Sequence, residues 1–242
     1  MSLERPASRI VAISPHLVEL VFAAGAGDSL VASVRGADYP AATVRLPSVG
    51  DAGGLDFERI RQYAPDLVLG WGGGNRAADL QRLGRERVPL FLVQPRALAD
   101  IGRQIRAVGV LAGTAEIAEL AAQDFERRLQ RLRDRYAERA PLEVFVEIWH
   151  RPLFTVSARH IISEVLEVCG ARNAIAAYPL LAGPVPVEDV LWANPHAIVS
   201  VADVGQDEAL ADWTRFRQLR AVRNAALIAI SPNLLTRATP RL

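Results

Sequence analysis

One pattern occurs twice in this chain, once in each half. LDFERIRQYAPDLVLGW covers residues 55–71, and VPVEDVLWANPHAIVSV covers residues 185–201. In each copy an acidic residue, Glu58 or Glu188, opens a short helical stretch, a proline follows seven positions later, and an apolar run comes next. A short helix that ends before a proline and leads into a buried strand explains both copies. The repeat therefore predicts two lobes of similar plan.

The rest of the sequence alternates short apolar runs with helical stretches. This βα order favours mostly parallel sheets covered by helices on both faces. The alternation is interrupted between Thr114 and about Glu138, where nothing breaks a helical pattern. Such a helix would be roughly 35 to 40 Å long, which is enough to span two lobes. Its predicted apolar stripe contains Ile117, Leu120, Phe125, Leu129, Leu132 and Tyr136.

We therefore predict an α/β fold in which two lobes with central, mostly parallel β-sheets are joined by one long bridging α-helix. The predicted divisions are an N-terminal lobe over residues 5–112, the bridging helix over 113–140 and a C-terminal lobe over 141–242. Ligands of such proteins usually bind in the cleft between the lobes.

Composition limits the possible partners. Half of the residues are hydrophobic and the formal net charge is only +1, so nucleic acid is not an expected partner. No apolar run reaches the length needed to cross a bilayer, and the first residues lack the pattern of a secretory signal. Cys169 is the only cysteine, which excludes an internal disulfide, and it is expected to fill the core.

The segment DLVLGWGGGN, residues 66–75, first suggests a phosphate-binding loop. It lacks the lysine and hydroxyl of a Walker loop and the third glycine of a dinucleotide loop. The bare backbone of Gly72 and Gly73 can instead let a bulky ligand approach closely. Trp71, at the carboxyl end of its predicted strand, then offers a flat apolar ring to that ligand. The alternative is a core tryptophan followed by an ordinary turn.

A second candidate segment is EIWHRPLFT, residues 147–155. Aromatic rings, an imidazole and a guanidinium follow a predicted strand there, which suits a ligand with a large flat body and polar edges. The predicted ligand contacts are Trp149, His150, Arg151 and Phe154, together with Tyr39 in the loop GADYP. The alternatives are a partly buried loop anchor for the first segment and a surface turn for Tyr39.

Catalytic signatures are not found in the sequence. The four histidines are scattered without metal-ligand spacing, and no GxSxG motif occurs. Cys169 lies at a helix end rather than a helix start, where its pKa would not be lowered. We expect neither an enzyme nor a metal site nor a resident cofactor.

Taken together, several segments resemble a known family. ADYP, LDFERI with APDLVLGWGGGN, IWHRPLFT and ISEVLEVCGARN are similar to class III periplasmic substrate-binding proteins of ABC importers, in the cobalamin-binding branch of the Fe/B12 family. The resemblance runs over nearly the whole chain. It implies a monomeric periplasmic carrier of a cobalt corrinoid or similar metal chelate. It also implies removal of a signal sequence, is compatible with a lipid anchor, and implies little closure about a rigid helix.

The resemblance assigns further roles. Glu58 and Glu188 match the acidic residues that meet arginines of the inner-membrane ABC permease, although each could be a solvated helix-start carboxylate. Ala52 and Ala182 stand where cobalamin-binding members often place tryptophans, which implies lower affinity or a different ligand. Family members often pair the cysteine of the EVCG segment with one in a later helix that this sequence does not contain, so Cys169 is either free or paired in a longer protein.

Three alternatives remain open at this stage. A haem or ferric-siderophore carrier of the same class could use Tyr39 or His150 as an axial ligand. An enzyme on the same two-lobe plan would use His150 and Arg151. A cytoplasmic βα regulatory module would have no signal upstream.

Overall fold

A computed structural model describes residues 3–86, 88–202 and 208–242. The chain divides into two compact units. The first contains the chain through Pro95 together with Ala99–Glu126, and the second contains Arg96–Leu98 together with Arg127–Leu242. Among the described residues, no helix is both long enough and apolar enough to cross a membrane.

In the first half of the chain, the described residues form six strands and the first helices. The strands are β1 (Ile10–Ala12), β2 (Leu30–Ser33), β3 (Gly50–Asp51), β4 (Gly54–Leu55), β5 (Leu67–Trp71) and β6 (Leu90–Val93). The helices are α1 (Pro15–Ala23), α2 (Phe57–Gln62), α3 (Ala77–Arg85), α4 (Leu98–Ala112) and α5 (Ala115–Tyr136), with 3₁₀ turns at Gly27–Ser29 and Ala41–Arg45. The long helix predicted in the middle of the chain is α5, which begins in the first unit and ends in the second.

The second half repeats this alternation. Its strands are β7 (Leu142–Glu147), β8 (Phe154–Val156), β9 (Ala171–Asn173), β10 (Ala182–Pro184), β11 (Ala197–Val201) and β12 (Leu227–Ile230). Its helices are α6 (Ile161–Val168), α7 (Val187–Ala193), α8 (Glu208–Trp213), α9 (Arg220–Arg223) and α10 (Pro232–Leu235).

The two main sheets have the same topology. The first has the order β2-β1-β5-β6 and the second the order β9-β7-β11-β12, and every pairing in both is parallel. In both, the strand that ends the repeated pattern, β5 or β11, lies beside the first strand of its unit. Two small antiparallel pairs, β3 with β4 and β8 with β10, lie outside these sheets. The predicted α/β class with two parallel-sheet lobes is confirmed.

The repeated pattern also has the same local geometry in both copies. Glu58 lies in the first turn of α2 and Glu188 in the first turn of α7. Each helix is followed by a left-handed residue directly before the proline, Ala64 with φ 42° and Asn194 with φ 45°. Asparagine adopts this conformation more readily than alanine, because its short polar side chain can bond locally.

The central strands β1, β5 and β11 are buried almost throughout, as expected for parallel sheets covered on both faces, whereas the edge strands β6 and β12 are partly exposed. In β7, Val144 and Val146 pack in one apolar cluster, whereas Phe145 between them packs with Ile198 in another. Successive side chains of a strand point to opposite faces, so these clusters lie on the two sides of the sheet.

Two packing predictions are wrong, the first of them in part. In α5 the predicted Phe125 and Leu129 are buried and Tyr136 is partly buried, whereas Ile117, Leu120 and Leu132 are exposed. The rest of the buried face is formed by Ala118 and Ala122. The reason is that small alanines at helical spacing allow close packing, so the buried stripe runs through them rather than through the larger residues. Cys169 is exposed as the C-terminal cap of α6, in the turn that leads through Gly170 into β9.

Close packing of α4 on α5 gives a test of this arrangement. A Cβ added at Gly109 would overlap the side chain of Ala118, so Gly109→Ala should lower the free energy of unfolding by about 1–3 kcal/mol. The control is Gly84→Ala in α3, where nothing lies within 4 Å of the new methyl group. That variant should be neutral or more stable by about 0.5–1 kcal/mol. Equal destabilisation of the two variants in urea unfolding would contradict the packing described here.

Candidate functional site

The residues predicted to contact a ligand follow the carboxyl ends of strands in both sheets. Trp71 ends β5, the segment Trp149–Phe154 follows β7, and Tyr39 lies in the loop after β2 with 47% of its surface exposed. Ligand sites in parallel α/β sheets form outside these strand ends. The structure brings Trp71 together with Gly72 and Gly73, and it brings Trp149, His150, Arg151 and Phe154 together in the second unit. Tyr39 lies in a different loop of the first unit.

In the glycine loop, Trp71 itself requires one of the glycines. Its partly buried ring lies over Gly74, where an added Cβ would overlap the indole. The indole also packs against the ring of His16 in a T-shaped arrangement, at a centroid distance of 5.0 Å and an interplanar angle of 78°. Gly72 and Gly73 are exposed and leave their backbone accessible.

Asn75 holds this loop in place. Its Oδ1 accepts a hydrogen bond of 2.6 Å from the Trp71 backbone N–H, and its Nδ2 donates one of 2.8 Å to the Ile13 carbonyl. The side chain thereby ties the end of β5 to the end of β1. Sequence reasoning missed this role, although an asparagine after glycines is typical of a side chain that bonds the backbone of its own turn.

The Trp149–Phe154 segment is a tight hairpin. The Phe154 N–H donates to the Trp149 carbonyl at 2.9 Å, and the Ile148 N–H donates to the Phe154 carbonyl at 3.0 Å. The Trp149 Nε1–H donates to the Arg151 carbonyl at 3.0 Å, yet 65% of the residue is exposed. The hairpin therefore fixes the orientation of the indole and leaves its face open to solvent.

Beneath the hairpin lies a buried carboxylate. Glu147 is 1% exposed and accepts a hydrogen bond of 2.6 Å from Trp213 Nε1, and one of its oxygens lies 2.8 Å from His150 Nδ1. His150 Nε2 lies 3.0 Å from Asp212 Oδ2, to which Arg151 donates at 2.6 Å. Sequence reasoning missed Glu147, Asp212 and Trp213. The available signal was Glu147 itself, an acidic residue that directly follows the buried apolar residues Val144–Val146 of LEVFVE.

The pKa values of the carboxyl groups of Glu147 and Asp212 are shifted in opposite directions. Burial raises the pKa of Glu147, against the hydrogen bonds from Trp213 and His150 that lower it. The hydrogen bond from Arg151, and after it that from His150, holds the pKa of Asp212 below its usual range. Both imidazole nitrogens of His150 lie within hydrogen-bonding distance of a carboxyl oxygen, Nδ1 of Glu147 and Nε2 of Asp212.

A cavity of about 190 Å³ lies beside this network in the second unit. It is lined by His150, Arg151, Leu153, Val187, Asp212, Trp213, Arg215 and Phe216. Pockets that enclose a whole drug-sized ligand measure roughly 300–1,000 Å³. The cavity can therefore accept one polar arm of a large ligand rather than its body. Among the described residues, no group of three or more metal-binding side chains is found.

The residues matched to permease docking differ in their surroundings. Glu58 is 77% exposed and pairs with Arg61, which also contacts Glu86 at 2.8 Å. Glu188 is exposed and has no ion-pair partner within the described part of the chain. Ala52 lies exposed in the turn between β3 and β4, and Ala182 lies exposed at the start of β10.

Comparison with known proteins gives consistent matches over the full length. The chain is 32% identical to the vitamin B12-binding protein of Vibrio cholerae over 240 residues, covering 98% of this chain and 85% of that protein. The crystal structure of the periplasmic vitamin B12-binding protein of Vibrio cholerae superposes with a TM-score of 0.88 over 98% of this chain and 92% of that one. A periplasmic haem-binding protein from Pseudomonas aeruginosa matches at 25% identity and a TM-score of 0.82, over 95% of this chain and 86% of that one.

The family comparison extends across both units. The model described as "Periplasmic binding protein" matches residues 10–234, which include both main sheets and α5. With its fold and its sequence in agreement, this chain belongs to the periplasmic binding protein family and is a binding protein rather than an enzyme.

Proposed function

We propose that this protein binds cobalamin or a related corrinoid in the periplasm and delivers it to the permease of an ABC importer. The observation that carries the proposal is the full-length likeness to the vitamin B12-binding protein of Vibrio cholerae, at 32% identity. The residues at the strand ends support it, because they combine flat apolar rings with charged and hydrogen-bonding groups.

The proposed contacts divide by chemistry. Trp71 and Trp149 provide indole faces for the flat body of a corrinoid, with Phe154 and Tyr39 as further aromatic contacts. Gly72 and Gly73 allow the ligand to approach the backbone. His150 and Arg151 line the small cavity in the second unit, which is of a size to accept one amide arm of the corrin ring.

Haem is the second candidate, favoured by the match to the haem-binding protein of Pseudomonas aeruginosa. An axial ligand would have to come from His150 or Tyr39. His150 already has both ring nitrogens directed at Glu147 and Asp212, so coordination of iron would break one of those contacts. Tyr39 is the more accessible group, with 47% of its surface exposed, and one tyrosine can serve as the axial ligand of haem iron. The corrinoid is the preferred ligand because the likeness to the vitamin B12-binding protein is higher, at 32% identity against 25% for the haem-binding protein.

Calorimetry with cyanocobalamin tests the proposal directly. We expect binding with a Kd of about 1 μM or tighter, since the exposed indole of Trp149, the partly buried indole of Trp71 and a preformed loop are available. Haemin, followed by its Soret band, serves as the competitor and should bind more weakly. Absence of heat at about 50 μM cyanocobalamin, a concentration far above that Kd, would refute the proposal; tighter binding of haemin would replace the ligand.

Substitution of Gly74 tests the role assigned to Trp71. Gly74→Ala should displace the indole from its position over the loop and weaken cyanocobalamin binding on the order of 10-fold or more. Trp71→Ala should weaken it at least as much, whereas Gly84→Ala, whose methyl group meets nothing, should leave it unchanged. If Gly74→Ala binds as the wild type does, Trp71 does not contact the ligand in its present position.

Charge reversal tests the docking residues. Glu58→Arg and Glu188→Arg together should abolish ATP-driven uptake of cobalamin into permease-containing proteoliposomes, because each places a cation opposite the expected arginines. The corrinoid affinity of the purified double variant should remain that of the wild type. Glu116→Arg is the matched control, since Glu116 is also an exposed first-turn carboxylate. A parallel loss of corrinoid affinity would assign the two glutamates to the ligand site or to the fold instead.

A further inference from the structure

The outer face of α7 carries a tryptophan that the fold does not use. Trp192 is 91% exposed, the highest value among the large hydrophobic side chains that the structure describes. The inner face of the helix is filled by Val190, which is fully buried, and by Val187 and Leu191, which pack against the same apolar cluster as Phe145. Since Trp192 contributes nothing to that packing, the fold gives no reason for this large apolar side chain to lie in water.

Trp192 lies next to an acidic group. Glu188 precedes it by four residues, so the two side chains share one face of α7 about one turn apart. Within the described residues, no cation or ring contacts the indole and no cation pairs with Glu188. Asp189 is exposed beside them and adds to the negative charge.

A carboxylate and an indole on one helix face fit a guanidinium. Arginine can donate two parallel hydrogen bonds to a carboxylate while its flat face stacks on an aromatic ring. Attraction of the cation to the ring adds to the ion pair, and tryptophan is the strongest partner for it. Tryptophan and arginine are also the residues most often found at the energetic centre of protein interfaces.

The equivalent helix of the first unit is different. In α2 the acidic residue Glu58 is already paired with Arg61, and the position that corresponds to Trp192 in the repeat is the polar Gln62. The repeat therefore keeps the acid in both units and provides the free carboxylate and the aromatic ring in only one. A partner that binds this helix face will therefore bind the second unit more tightly than the first.

We propose that Trp192 is the anchor of an arginine-binding docking surface, formed with Glu188, through which the second unit binds the periplasmic face of its permease. The proposal rests on the proposed function and adds to it a specific contact and an asymmetry between the units. The partner is a protein surface that presents arginine. An anionic lipid surface is disfavoured, because Glu188 and Asp189 would repel it.

The test measures the affinity of the cyanocobalamin-loaded carrier for the ABC permease of its own organism in lipid nanodiscs. Trp192→Gln introduces the residue found in α2, and we expect it to weaken docking on the order of 10- to 100-fold while leaving cyanocobalamin affinity and thermal stability unchanged. Trp192→Phe should retain part of the affinity, since a ring remains. Glu188→Gln should also weaken docking and should reduce its dependence on salt.

Two control variants make the result specific. Gln62→Ala, at the equivalent position of α2, should change docking by less than about 3-fold, as expected for a solvated polar residue outside an interface centre. Trp149→Gln replaces another exposed tryptophan of the same unit and should give the opposite result, with weaker cyanocobalamin binding and unchanged docking.

The outcomes separate this proposal from the proposed function. If the Trp192→Gln variant binds the permease as tightly as the wild type does, Trp192 is not the anchor, and the carrier function is unaffected by that result. A wild-type carrier that binds cyanocobalamin but no permease overturns the delivery role and the docking surface together. Two further outcomes would overturn the permease as the partner. If the wild type but not Trp192→Gln binds vesicles of phosphatidylethanolamine and phosphatidylglycerol that contain no permease, the surface binds lipid. If sedimentation velocity shows self-association that Trp192→Gln removes, the surface binds a second copy of the chain.

Discussion

The parallel pairing of β1 with β5, and of β7 with β11, is the constraint on which the candidate site depends. Parallel strands in adjacent positions end at the same edge of their sheet, so residues far apart in sequence meet there. Asn75 reinforces this edge in the first unit by bonding to the backbone of Trp71 at the end of β5 and of Ile13 directly after β1. The proposed ligand contacts are therefore products of sheet topology, and the same topology in both units gives each a similar edge.

The second unit strengthens its edge differently, with a carboxylate buried at the end of β7. A buried charge is unfavourable unless it is hydrogen-bonded, and Glu147 has Trp213 and His150 as partners. These contacts link β7 to the residue that ends α8 and position the ring of His150. Arg151 and Asp212 extend the network to the surface. Polar groups thus hold the hairpin that exposes Trp149, where an apolar packing would leave its orientation less defined.

Much of the fold could be predicted from the sequence, because the signals were periodic and local. The proline after each acidic helix, the βα alternation and the uninterrupted stretch that became α5 depend on backbone rules that neighbours rarely override. The buried face of α5 was predicted wrongly, because the choice between Ile117 and Ala118 depends on how closely α4 approaches. The burial of Cys169 was predicted wrongly for the same kind of reason, since one residue at a helix end decides which way a side chain points.

The candidate site was less predictable than the fold. Trp71 and Trp149 could be singled out as aromatics at strand ends, but their partners are distant in sequence. His16 contacts Trp71 across 55 positions of the chain, and Trp213 bonds to Glu147 across 66. Only the three-dimensional arrangement shows that one glycine of the loop is needed by the protein's own tryptophan. The glycine run therefore combined a structural requirement with the accessibility that the sequence suggested.

The position of Trp71 over Gly74 has a thermodynamic consequence. Because the indole packs against the ring of His16 and against the loop at Gly74, few rotamers are left to it before any ligand arrives. Ordering a large side chain on association typically costs about 0.5–1.5 kcal/mol, and a ring that is already held avoids most of that loss. The first unit thus offers a preorganised surface, because folding of the chain has already ordered the tryptophan side chain that would otherwise lose entropy when the ligand binds.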